Sequence, residues 1–207
     1  MTALTIAPAA DVPWASVERL FDSTAASRHC SCRWWLTTNA EAAVLDDADR
    51  RTASQGDHAA RTLRGLIARL GDEPIGWVGA GPRADFVRLS RTKAIAGAVP
   101  DSDFGDAGVW SIVCFIVVPD HRGTGVARAL LAAAVAHAAA AGAAIVEAYP
   151  VDADAQAANP ASTRSTLKPS GLNTGTAALF SDAGFVEVGA RVTDARPVMR
   201  VSTAVQS

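Results

Sequence analysis

Lysine is almost missing from this sequence: Lys93 and Lys168 are the only two, and arginine supplies the rest of the 19 basic residues. Against 21 acidic residues they leave a formal charge of −2, which excludes the global basic field that draws a protein to nucleic acid or to an anionic membrane. Cysteine is scarce as well. Cys30, Cys32 and Cys114 are odd in number and too few for a disulfide scaffold, which fits a reducing compartment. The opening Met1-Thr-Ala-Leu-Thr-Ile6 lacks the basic segment, long apolar run and cleavage site of a secretory leader, so the cytoplasm is the expected location. Tyrosine occurs once, as Tyr149.

A membrane span is also missing, although one stretch imitates it. From Ala129 to Val146 the only ionisable residue is His137, and the length nearly suffices. Most of that stretch is alanine, however, and Gly142 stands where a helix C-terminal glycine belongs, ahead of the strand-like Ala144-Ile-Val-Glu-Ala-Tyr149. The expectation is a helix, a turn and a buried strand, with no membrane partner.

What is present is an ordinary globular composition, 49% hydrophobic and 19% charged, over 207 residues. At about 100–200 residues per domain this predicts one folded domain spanning 1–207. Leu4-Thr-Ile6 reads as a first strand. Asp11 can cap a helix with Pro13 in its first turn and Trp14, Val17, Leu20 and Phe21 on one face. Residues 46–64 are charged and weakly periodic, and read as a short helix plus loops. Leu66-Ile-Ala68 and Ile75-Gly-Trp-Val78, separated by Gly71-Asp-Glu-Pro74, predict a hairpin. Residues 79–107 read as an irregular, substrate-facing excursion. Val109 to Val118 is an almost unbroken apolar run, as a central strand covered on both faces requires, and Pro119 ends it. A helix from Gly125 carries Ala127, Leu130, Leu131, Ala134 and Ala138 on one stripe. Residues 152–175 read as a polar loop, 176–183 as a short helix, and 185–192 and 198–203 as the last strands.

The chemistry concentrates in Val118-Pro-Asp-His-Arg-Gly-Thr-Gly-Val-Ala127, where a strand stops, a glycine-rich turn follows and a helix starts at once. The first N–H groups of a helix lack intrahelical partners and its dipole favours a negative charge, so this is an anion site. The dipole contributes only about 0.3–1 kcal/mol, up to about 2 when partly buried, so several N–H bonds must act together. A P-loop would need a Gly-Lys-Ser/Thr ending, and a dinucleotide fingerprint would need a small residue where Arg128 stands.

Arg122-Gly-Thr-Gly125-Val-Ala127 resembles the Arg/Gln-x-x-Gly-x-Gly/Ala motif of the GNAT superfamily of acyl-CoA-dependent N-acyltransferases. Leu179-Phe-Ser-Asp-Ala-Gly-Phe-Val-Glu-Val188 is similar to that family's late helix-to-strand segment. The resemblance covers roughly residues 65–203. It implies an α/β domain with one mixed, mainly antiparallel sheet of about six or seven strands and helices on both faces. It also implies acetyl-CoA or another short acyl-CoA as co-substrate: the backbone of Phe115, Ile116 and Val117 would bond the pantetheine arm, and the amides of Arg122, Gly123, Thr124, Gly125, Val126 and Ala127 the pyrophosphate. An amine acceptor would enter beside Tyr149 and Asp152 and take the acyl group directly. The acceptor's identity and the oligomeric state, a homodimer included, stay open. The alternative is a non-catalytic acyl-CoA-binding module.

Two residues are candidates for proton transfer. Glu147 is an acid inside an apolar strand and so a candidate general base; its structural reading is an ion pair with Arg83 or Arg196. The family's usual tyrosine acid, five residues before the phenylalanine of the late motif, is here Phe180. Tyr149, on the same strand face as Glu147, is the candidate substitute, or it packs with its hydroxyl bonded. Cys30-Ser-Cys32 with only His29 beside it does not make a zinc set, so no metal is expected. Cys114 reads as a buried small hydrophobe and Trp34-Trp35 as packing. His121 and His137 lack a nucleophilic-triad pattern.

Overall fold

A computed structural model describes residues 3–158 and 173–204. One seven-stranded sheet runs through it in the order β1 (Leu4–Pro8), β2 (Leu66–Leu70), β3 (Glu73–Pro82), β4 (Val109–Val117), β5 (Ile145–Ala148), β7 (Arg196–Ser202) and β6 (Val186–Thr193). Every pairing is antiparallel except β4 with β5. The sheet is therefore mixed and mainly antiparallel, with helices on both faces.

On one face lies α7 (Val126–Ala140), whose Leu130, Leu131, Ala134 and Ala138 are buried against Ile75, Val78, Ile112 and Phe115. Full burial of each leucine stabilises the fold by about 1.5–3 kcal/mol. The alanines let the helix lie close, and Gly76 on β3 lets it lie closer: a Cβ there would stand 2.7 Å from Val126 and 3.0 Å from Leu130. The start of α7 is thus fixed against the sheet. The short helix α9 (Ala177–Ser181) joins the same core through Phe180, whose ring meets those of Phe115 and Phe185 edge-on.

The opposite face is covered in two parts. Helix α1 (Trp14–Phe21) packs Val17, Leu20 and Phe21 on Ile67, Trp77 and Ile116. Further along, α5 (Val87–Arg91) and α6 (Lys93–Ala98) pack Leu89, Ile95 and Ala98 with Val113, Tyr149 and Val198. Helices α2 (Ala25–Cys30), α3 (Asn39–Val44) and α4 (Asp47–Ala59) complete this side, and α8 (Ala153–Ala158) follows β5.

Four expectations are corrected. Asp11 ends a 3-10 turn, and α1 begins after Pro13 with no side-chain cap. Residues 46–64 hold a 13-residue helix, α4, started by a reciprocal Asp46–Asp49 capping pair. The stretch 79–107 is not irregular throughout, because β3 continues to Pro82 and is followed by α5 and α6. Of the loop read over 152–175, residues 153–158 are helical, and 159–172 lie outside the described residues. Among the described residues no helix is long and apolar enough to cross a membrane.

Candidate active site

Strand β4 changes partners along its length. Val109–Ile112 pair with Ile145–Ala148 of β5, and there β5 ends, while β4 runs on to Val117. Pro150, which cannot donate to a ladder, follows Tyr149 and turns the chain away. At the same level β4 carries one residue more than β3: Ala80 faces Ile112 while Gly79 faces Cys114, so Val113 is the extra residue of a bulge. Past the bulge, β4 stands beside a gap.

Which backbone groups face that gap follows from the ladder. The Val118 N–H bonds to the Ile75 carbonyl. In an antiparallel pair, bonding direction alternates residue by residue, so Ile116 also turns its N–H and C=O toward β3, and Phe115 and Val117 turn theirs toward the gap. The Val117 carbonyl accepts from Arg122 Nε at 3.2 Å, which ties the following turn to the strand end.

That turn has the strand, glycine turn and helix start read from the sequence. Pro119–His121 make one 3-10 turn, Gly123 and Gly125 sit at φ +75° and +89°, and Gly125 is the N-cap of α7. Both glycines are in the left-handed region where an L side chain is strained, and a Cβ at either would meet nothing. They are needed for the turn's conformation rather than to relieve crowding. The first helical bond of α7 runs from Ala129 N–H to Gly125 O, so the N–H groups of Val126, Ala127 and Arg128 have no partner within the helix. Thr124 closes the turn by donating to His121 O at 2.7 Å.

Behind the strands, on the face away from α7, lies a buried charged cluster. Glu147 is fully buried and cross-strand from Arg200. Its carboxylate accepts from Arg83 Nη1 at 3.3 Å, from Arg200 Nε at 2.7 Å and from the Tyr149 hydroxyl. Arg83 is itself buried, bonds Ser102 and the Asp103 carbonyl, and stacks 4.7 Å over Phe104. Burial, and then the Glu147 carboxylate beside it, push the Tyr149 phenol well above the usual tyrosine range, so it is a neutral donor. The ion pair read from the sequence is therefore made with Arg83. Arg196 instead donates to the Tyr149 carbonyl and to Thr174 Oγ1.

Beside this cluster opens a cavity of about 620 Å³. Val113 and Cys114 of β4 form part of its wall together with Tyr149, and Trp34, Trp35 and Ile95 close other sides. Glu147 does not line it. Cys30 and Cys32 do, so all three cysteines of the chain reach one space. The Cys32 sulfur accepts from the Trp77 indole N–H at 3.2 Å. Donation from the Cys114 thiol, helped by Trp77 and Arg33, outweighs burial and holds the Cys32 thiol below its usual range, while the Cys114 thiol is pushed well above its own. At the rim His29 Nδ1 stands 2.6 Å from Asp47 Oδ1.

The structure thus joins Tyr149 and Glu147 in one network, sets Phe115, Val117 and the Arg122–Ala127 turn along one gap, and leaves Asp152 outside the cavity lining. Asp152 caps α8 through Ala155 N–H and pairs with Arg191. Sequence reasoning missed that Cys30, Cys32, Trp34 and Trp35 line a cavity floored by β4, since only the tertiary fold brings them there. The Cys-x-Cys-x-Trp-Trp run was the available signal.

No curated protein matches the sequence. Solved structures match over nearly the whole chain. One is yncA of Salmonella typhimurium, assigned as an acetyltransferase and solved with its cofactor acetyl-CoA (16% identity, 99% of this chain and 96% of that one, TM-score 0.52). Another is the aminoglycoside acetyltransferase AAC(6')-Ib in complex with coenzyme A (15%, 97% and 95%, TM-score 0.54). A third is the ribosomal-protein-S18-alanine N-acetyltransferase of Escherichia coli (12%, 99% and 97%, TM-score 0.50). A family model described as Acetyltransferase (GNAT) family matches residues 26–164, a span that begins upstream of the motif resemblance and includes the glycine turn. A match over more than half the chain, on this sheet with its strand, glycine turn and helix in sequence, makes the protein a member of the GNAT acetyltransferase family.

Proposed function

We propose that this protein transfers an acetyl or other short acyl group from acyl-CoA to an amine. The observation that carries the reading is the gap beside the second half of β4, open between a helix N-terminus with unpartnered N–H groups and an apolar cavity on the opposite face. In this reading the N–H groups from Gly123 to Ala127 hold the pyrophosphate, the Arg122 N–H being already given to the Pro119 carbonyl, and Phe115 and Val117 bond the pantetheine arm in a strand-like manner. The co-substrate supplies the activated acyl carbonyl. The amine reaches it from the cavity and takes the acyl group without a covalent enzyme intermediate.

Glu147 serves here as the anchor of Arg83, Arg200 and Tyr149 rather than as the base, since both its oxygens are engaged behind the cavity wall. Tyr149 borders the cavity, but its proton is directed at Glu147. Phe180 is fully buried among aromatic rings. A thiol of pKa about 8.5 is already a fair leaving group, so an enzyme without a dedicated acid is chemically workable. The same observation favours a second reading, a module that binds acyl-CoA without turning it over.

Calorimetry with acetyl-CoA tests the cofactor site. Gly125→Ala carries the strain of a side chain at φ +89°, whereas Gly125→Glu adds a negative charge facing the pyrophosphate. Glu should therefore weaken binding by at least about tenfold more than Ala at equal foldedness. Equal affinities in the two variants would remove the pyrophosphate from this turn. Thiol release from acetyl-CoA over an amine panel then separates the enzyme from the binding module.

A further inference from the structure

The cavity is chemically one-sided. Trp34, Trp35, Ile95, Val113, Tyr149 and Val192 give it apolar and aromatic walls, and among the described residues no Asp or Glu lines it. Residues 1–2, 159–172 and 205–207 contain no Asp or Glu either, so every acidic side chain of the protein is among the described residues. Two carboxylates that contact lining residues, Glu147 at Tyr149 and Asp47 at His29, are already committed, Glu147 to Arg83 and Arg200 and Asp47 to Arg50 as well. The charges that do face the space are positive. Arg196 lines it, and the cluster behind Tyr149 sets two guanidinium groups against one carboxylate.

From this we infer that the acceptor is an amine on an aromatic body that carries no second positive charge. The inference rests on the acyl-transfer reading and narrows it. A polyamine, an aminoglycoside or a lysine-rich peptide needs carboxylates to replace the water around its extra ammonium groups, and here it would meet arginine instead. A flat apolar body finds aromatic walls. An amine nitrogen entering a space without an anion enters uncharged, which is the form that attacks a thioester.

Steady-state assays with acetyl-CoA on the full chain test the inference, using 2-phenylethylamine, spermidine, kanamycin and an oligolysine as acceptors. The aromatic monoamine should exceed each polycation in kcat/KM by about 100-fold or more. Thr92, which lines the cavity and precedes α6, offers a gain-of-function variant. Thr92→Asp should raise kcat/KM for spermidine at least about tenfold and change acetyl-CoA affinity little. A parent enzyme that prefers any of the polycations overturns the inference and leaves the acyl-transfer reading standing.

If no acceptor turns over, tryptophan fluorescence decides. Saturable quenching by 2-phenylethylamine but not by spermidine supports the inference, and no saturable response to the aromatic amine overturns it. Acetyl-CoA calorimetry on the same samples reads the cofactor site independently, so its failure is recognised as the failure of the earlier reading.

Discussion

Glu147 is the residue on which the interior electrostatics turn, because two guanidinium groups and a phenol have it as their common acceptor. Removing one partner of a buried pair costs about 3–5 kcal/mol, since the other charge is left uncompensated. Glu147→Gln should therefore lower the unfolding free energy by about that amount in urea titrations, leaving Arg83 buried without its counter-charge. Tyr149→Phe removes one donor from a charged acceptor and should cost less, about 1.5–3 kcal/mol. If Tyr149 only positions Glu147, its kcat stays within a few-fold of the parent; a fall of about 100-fold or more would instead make it the acid that Phe180 does not supply. The sequence displayed the ingredients of this cluster, an acid within an apolar strand and one tyrosine two residues on. It could not display which arginine arrives, because Arg83 and Arg200 lie 64 and 53 positions away.

At the scale of elements, β4 offers a test that side-chain substitutions do not. In free protein the amides of Phe115 and Val117 face the gap and should exchange quickly with deuterium, while Ile116, bonded to β3, is protected. Saturating acetyl-CoA should slow Phe115 and Val117 by at least about tenfold and leave Ile116 unchanged; uniform protection of all three would speak against strand-like bonding of the pantetheine arm. The strands and α7 were legible because apolar runs and small-residue stripes dictate them. Helix α4 was legible only as a short helix and not at its full 13 residues, for a physical reason: it buries only Ser54, and its arginines reach outward for their partners. Arg50 donates to the Leu45 carbonyl at 2.6 Å, and Arg51 to the Glu18 carbonyl and Ser31 hydroxyl. A helix held by polar side-chain bonds has no hydrophobic period to read. The reciprocal caps Thr38-x-x-Glu41 and Asp46-x-x-Asp49, which start α3 and α4, went unread in the sequence.

Across the whole molecule, the two ligands of the proposed reaction approach one sheet from opposite sides, and the far end of the chain closes the acceptor side. Asp152 ties the segment after β5 to the β6–β7 hairpin by capping Ala155 and pairing Arg191 at 2.9 Å. The Ala155 N–H first, and Arg191 next, hold its carboxyl below the usual aspartate range. A depressed folded value means that this tether stabilises the protein above about pH 3.8 and loses its contribution as pH falls through the lower folded value. Parent and Asp152→Asn should therefore differ in stability at neutral pH, and the difference should shrink to nothing in acid, as circular dichroism melts across pH 2–7 would record. A gap that persists at pH 2 would assign the effect to something other than this charge. The bulge at Val113 has a wider consequence still. One inserted residue puts two neighbouring side chains, Val113 and Cys114, on the cavity side, and so reverses the parity of everything after it. Were the strand straightened with all its residues kept, Phe115 would swing into the cavity, Cys114 into the α7 core, and the amides now offered to the gap would be spent on β3. Deleting the extra residue, by contrast, would leave every later side chain and amide on its present side and remove only one of the two neighbouring cavity-side chains.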